Sequence, residues 1–196
     1  LISEHFIDTF TMGNRRTVVG LRDASRHFEK NILTHAQVER IAASCVGMLE
    51  DNRGYLYFGL ILLMTTGITI SELCALTWGS FSFSKTYAGI IVVEIMAETK
   101  LVGDVYRIEE LNGPRRRTIP LPPAVAKFYH RVRDNAPNIQ ENAPFMRSFK
   151  NAARRIRPDE FDRWLKGFFK SFGFSKQPEL KSLTKNPERT LRATFR

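Results

Sequence analysis

Apolar positions along the chain follow two rhythms, and the change between them divides it. In "NILTHAQVERIAASCVGMLEDN", Val38, Ile41, Ala42, Cys45 and Met48 recur every three or four residues. Thr34 stands just before them as an N-cap, and "DNRG" closes the predicted helix. Residues 55–66 are apolar nearly all round, which predicts a helix buried at the centre of a core, with Gly67 as its stop. Thr69-Ile70-Ser71-Glu72 then has the capping-box form, a Thr followed three residues later by a Glu. Ser71 is the alternative cap. Leu73, Leu76 and Trp78 carry an apolar face onward.

From Gly89 the period shortens. "IIVVEIM" is β-branched and continuous, as in a strand covered on both faces, and "DVYRIEEL" and "RRRTIPL" flank the turn signal "NGP". These predict a three-stranded antiparallel sheet of Ile90–Met96, Asp104–Glu110 and Arg115–Leu121. Helical spacing then returns. "PPAVAKFYHRVRDNAP" opens on proline, which suits a helix start. "RPDEFDRWLKGFFKSFGF" places Phe161, Trp164, Leu165, Phe168, Phe169 and Phe172 on one side, a stripe read as core rather than as a base-stacking platform. Asn186 caps a last helix with Pro187 in its first turn. Residues 1–30 lack periodicity and read as an arm or linker before a single domain over 31–196. The expected class is α+β, mostly α: a helical domain with a small three-stranded antiparallel sheet.

With 196 residues, 43% of them hydrophobic, the chain can bury a sizeable core. Its charge of +10 is uneven. Residues 1–100 hold nine Lys and Arg against ten Asp and Glu, whereas residues 101–196 hold 21 against ten. A surplus confined to one half points to a polyanionic partner. Cys45 and Cys74 are far apart and read as small buried thiols, and the four histidines show no metal-ligand spacing. No metal or other cofactor is expected. Leu1–Lys30 has no apolar leader, and Leu56–Met64 is too short to span a bilayer, so no membrane partner and a cytoplasmic setting are expected. A chain beginning at Leu1 rather than Met is expected to be cut from something longer. No paired carboxylates, Gly-rich phosphate loop or Ser/His/Asp set is visible.

Four stretches together resemble the catalytic domain of tyrosine recombinases, the phage-integrase family. "LTHAQVERIAASC" is similar to that family's opening "LT-x-x-E" helix. "LILLMTTGITISELCALTWGSFSF" resembles its core motif "TG-L-R-x-S-E-L-x-x-L-x-W-x-D" and is the specific match. "GPRRRTIPLPPAV" resembles the end of its β-hairpin, and "RTLRATF" its "H-x-L-R-H-T-F" helix. The resemblance runs from Leu33 to the end of the chain. It implies a bacterial-type, nucleoid-associated protein of DNA integration or recombination. Double-stranded DNA is the implied partner, and other recombinase subunits a second one.

In that family two arginines, a lysine and two histidine-type residues stabilise a pentacoordinate phosphate while a tyrosine attacks. Guanidinium groups hold the charge on the non-bridging oxygens, and a lysine or histidine protonates the leaving oxygen. Carried over position by position, the first arginine falls on Thr69, the hairpin lysine on Leu111, the first histidine on Arg189 and the second on Ala193. Only the second arginine is retained, as Arg192. Lys100, on the connection before the hairpin, is the alternative lysine. The five tyrosines, Tyr55, Tyr57, Tyr87, Tyr106 and Tyr129, all precede the last helix, whereas the family's nucleophile follows it. A threonine supplies neither the charge nor the fork of a guanidinium. Catalysis is therefore expected to be impaired.

DNA contact is expected from Arg115, Arg116 and Arg117, with Arg115 and Arg117 on one strand face. It is also expected from Arg189 and Arg192, which share a helix face with Arg196, and from the cluster Lys150, Arg154, Arg155 and Arg157. Solvated charge is the bland alternative for each. Three readings of the whole follow. The chain is a DNA-binding scaffold without cleavage; or an active recombinase with a diverged site, Arg189 replacing lost charge and the tyrosine beyond this chain; or a regulatory module that docks on a recombinase without touching DNA.

Overall fold

The computed structural model describes residues 33–84, 90–136, 138–171, 173 and 184–194. The expected arm over 1–30, with Tyr87, Phe172 and Arg196, lies outside the described residues. The order is α1 (His35–Gly47), α2 (Gly54–Thr66), α3 (Ile70–Ala75), β1 (Phe81–Phe83), β2 (Ile91–Ile95), β3 (Ala97–Val102), β4 (Val105–Glu110), β5 (Arg117–Pro120), α4 (Pro123–Asp134), α5 (Pro158–Ser171) and α6 (Pro187–Thr194). This is an α+β fold, rich in helix, with a small antiparallel sheet.

Thr34 caps α1 through a reciprocal box with Gln37. Val38, Ile41, Ala42 and Cys45 turn inward as their spacing predicts, but Met48 caps the helix and is exposed. Leu49, one residue on, enters the core in its place because the chain has already left the helix. α2 is the centre. Leu56, Phe58, Leu60, Ile61 and Leu62 have no exposed surface, and α1, α4 and α6 pack around them. Each such side chain contributes about 1.5–3 kcal/mol relative to exposure. Gly67, at φ 67°, closes α2 in the left-handed region that glycine occupies without strain. Phe161, Leu165 and Phe169 of α5 are buried, and Trp164 and Phe168 pack against the same core at partial exposure. Cys45 and Cys74 are buried free thiols.

The strand pattern is antiparallel as expected, but its membership differs from the expected sheet of Ile90–Met96, Asp104–Glu110 and Arg115–Leu121. The run that begins at Ile91 continues past Met96 into β3, so one long bent strand carries two pairings. Its first half pairs with β1 on one side and β5 on the other, both antiparallel. Its second half pairs with β4 alone, from Ala97↔Glu110 to Val102↔Val105. Asp104–Glu110 is therefore not a member of the main sheet. The hairpin turn is Gly103-Asp104, with Gly103 at φ 59°, rather than the stretch around "NGP". That stretch forms a 3-10 turn over Gly113–Arg115. The last strand starts at Arg117, so Arg115 and Arg116 precede it. Phe81–Phe83 is a strand that its short apolar pattern did not announce.

Candidate nucleic-acid interface

α3 begins where it does because of one local exchange. Glu72 N–H donates to Thr69 Oγ1 at 3.1 Å, and Thr69 N–H donates to Glu72 Oε2 at 2.9 Å. The next N–H, that of Ile70, donates to Glu188 Oε1 at 3.3 Å across 118 residues of chain. Arg192 lies one turn along α6 from Glu188, at 3.9 Å. The fold thus gathers Thr69, Glu188 and Arg192, with a carboxylate at the helix start. Arg189 is exposed, and Ala193 lies in the last turn of α6.

Glu72 is only 3% exposed. Arg117 reaches it with both terminal nitrogens, Nη1 to Oε1 at 2.8 Å and Nη2 to Oε2 at 2.9 Å. Burial by itself would push the Glu72 carboxyl up. Hydrogen bonds from Arg117 and from the Thr69 backbone outweigh it and hold the group below its ordinary 4.5. The two neighbouring arginines also have acid partners. Arg115 forks onto Glu98 at 3.1 and 2.6 Å, and Arg116 reaches Glu110 at 3.3 Å. Arg115 and Arg116 are more exposed than Arg117, so their pairs are weaker and more open to exchange. Leu111 is buried, its N–H on Met96 O. Lys100 is on β3, not on a connection, and pairs with Glu109 at 3.0 Å in solvent.

Cations of the 150–157 cluster meet the β3–β4 hairpin and α5 around a groove of about 770 Å³. Arg53, Lys150, Arg154, Arg155, Arg157 and Arg163 line it, against the acids Asp104 and Glu160. Glu160 is held by Ser148 and Phe149 N–H, at 3.0 and 3.2 Å. Arg155 is different from its neighbours. It is half-buried, and its Nη1 donates to the carbonyls of Ala75 at 2.7 Å and Leu76 at 2.8 Å, closing the end of α3. Burial pulls its pKa below the ordinary value. Arg53 lies 5.3 Å over the Phe149 ring and Arg157 5.8 Å over that of Tyr106. Lys150 and Arg154 are exposed and make no salt bridge among the described residues.

Arg53 and Arg163 were not visible in the sequence as members of this surface. Arg53 reads only as turn residue, and Arg163 as the polar side of an amphipathic helix. Glu188 and Glu98 were missed likewise, because nothing local marks an acid that answers an arginine from another element.

Compared with protein-family models, curated proteins and solved structures, the chain matches none of them. Among the described residues, no group of three or more His, Cys, Asp or Glu is placed to hold a metal ion. Nor, among the described residues, is any helix long and apolar enough to cross a membrane.

Proposed function

We propose that this chain is a DNA-binding protein of DNA integration or recombination that has lost strand cleavage. The observation that carries the binding half is the groove between the β3–β4 hairpin and α5, where six cations face two acids. One of the six, Arg155, is committed to backbone carbonyls. Arg157 and Arg163 share Asp159, at 3.2 and 3.5 Å, which leaves Arg53, Lys150 and Arg154 for phosphates, and such contacts position a duplex without reading its sequence. The tyrosine-recombinase resemblance supplies the biological role.

The second half follows from the neighbourhood of Thr69. A phosphoryl-transfer site needs fixed cations around the phosphate. Here Thr69 caps a helix, Arg117 is neutralised by Glu72, and the Glu188 carboxylate stands between the helix start and Arg192. Glu72 cancels Arg117 and Glu188 offsets Arg192, which weakens the hold of that place on a phosphodiester.

The test uses a labelled duplex titrated with the full chain at several salt concentrations, then a nicked suicide duplex run on a denaturing gel. The expected result is binding that weakens steeply with salt and no covalent band. A salt-independent response removes the groove as the DNA site. A covalent band removes the loss of cleavage.

A further inference from the structure

We propose that the free edge of β4 pairs with the same edge of a second copy of this chain, antiparallel and with Ile108 on the two-fold axis. The inference does not depend on the DNA-binding reading above.

β3 and β4 form a two-stranded ribbon, and among the described residues no strand pairs with the other edge of β4. β3 packs against α3, and β4 lies outside it. An unpaired edge is a template for another strand, and proteins blunt such edges with proline, bulges or short length. β4 has none of these. Its six residues, VYRIEE, contain no proline, and the register with β3 runs unbroken from Ala97↔Glu110 to Val102↔Val105. Val105 and Ile108 on it are 58% and 45% exposed.

The hairpin fixes which groups the edge offers. Antiparallel rungs alternate between pairs that exchange N–H and C=O and pairs that do not. Leu111 N–H donates to Met96 O at 2.8 Å, so the rungs at Glu109, Arg107 and Val105 exchange with β3 as well. The N–H and C=O of Tyr106, Ile108 and Glu110 therefore point away from β3. They recur every second residue, the spacing a further antiparallel strand requires. With Ile108 opposite Ile108 of the second copy, Tyr106 falls opposite Glu110, and each of these outward groups finds its complement.

Charge selects the same register. Arg107 and Glu109 flank Ile108 on the other face of the ribbon. Arg107 of each copy then stands opposite Glu109 of the other, on rungs where facing side chains come closest. Arg107 is exposed and makes no salt bridge among the described residues, and Lys100 occupies only Oε2 of Glu109. Centred on Arg107 instead, the pairing would set arginine against arginine and Asp104 against Glu110. Residues 97–110 hold four acids against two cations in a chain of net charge +10, so two copies that meet here avoid the repulsion between their basic surfaces. The axis is perpendicular to the ribbon and keeps equivalent faces on one side. Tyr106 and Ile108 also line the basic groove, so the two grooves open on the same side of the pair.

The test is sedimentation velocity of the full chain over a range of concentrations. The wild type should pass reversibly from monomer to dimer. Ile108→Pro removes an N–H that points outward, which an edge strand tolerates. It should abolish the dimer and keep the wild-type circular dichroism spectrum. Arg107→Glu and Glu109→Arg each set like charges opposite one another and should weaken dimerisation about tenfold. Mixed in equal amounts, these two variants should form a heterodimer of near wild-type strength, because every facing pair is then opposite in sign. That rescue stands whether or not the proline variant folds. A wild type that stays monomeric at the highest concentration reached overturns the proposal and leaves the edge to a strand of another protein. A dimer that survives Ile108→Pro, or charge variants that fail to rescue each other, also overturns it.

Discussion

Arg117 grips Glu72 by both terminal nitrogens, at 2.8 and 2.9 Å, and the same carboxylate answers the backbone N–H of Thr69 at 2.9 Å. One buried acid thus joins the start of β5 to the start of α3. The partners lie 45 residues apart.

Removing one member of that pair leaves the other uncompensated. Arg117→Met should lower unfolding free energy by about 2–3 kcal/mol, below the full cost of a deeply buried pair because Arg117 is itself partly solvated. Urea denaturation checks this. A double-mutant cycle with Glu72→Met should return a coupling of the same sign.

The pair also predicts a pH dependence. The Glu72 carboxyl titrates below 4.5 in the folded chain and near that ordinary value when unfolded. Its contribution is complete above the unfolded value and fades as pH falls through the folded one. Melts of the wild type should lose stability relative to Glu72→Gln in that acidic window and run parallel to it above about pH 5.

Thr69 is worth what a helix cap is worth. Thr69→Ala should cost about 1 kcal/mol, measured by chemical denaturation. Thr69→Arg should form no covalent complex with a suicide duplex, because Leu111 stays buried and Ala193 offers no imidazole. Nicking by that single variant would remove the account of the site.

Two arginines adjacent in sequence should behave oppositely. Arg155→Met should destabilise by about 2 kcal/mol, since it strips charged donors from the carbonyls of Ala75 and Leu76. Arg154→Ala, at an exposed position, should leave stability unchanged. On DNA, Arg154→Ala and Lys150→Ala should each flatten the plot of log affinity against log salt by about one unit.

Much of the frame is legible along the chain. The Thr34 and Thr69 caps, the all-apolar α2 and its Gly67 stop each depend on residues within four positions of one another. So does the inward stripe of α5. The Phe81–Phe83 strand was not legible, because three residues carry too little period. Nor was the hairpin's true turn: "NGP" and "VGDV" offer comparable turn chemistry, and register with the continuing strand chose between them.

Local chemistry in the sequence determined where helices start, which faces they bury, and that the second half of the chain is basic. Caps and amphipathic periods act over one helical turn, so neighbours in sequence suffice. Only tertiary structure decided what each arginine does. Arg117 meets Glu72, Arg155 meets the end of α3, and Arg53 joins Lys150 and Arg154 around one groove. Those partners come from separate elements, and a charge's role is set by whichever carboxylate, carbonyl or solvent the fold puts within about 3 Å of it.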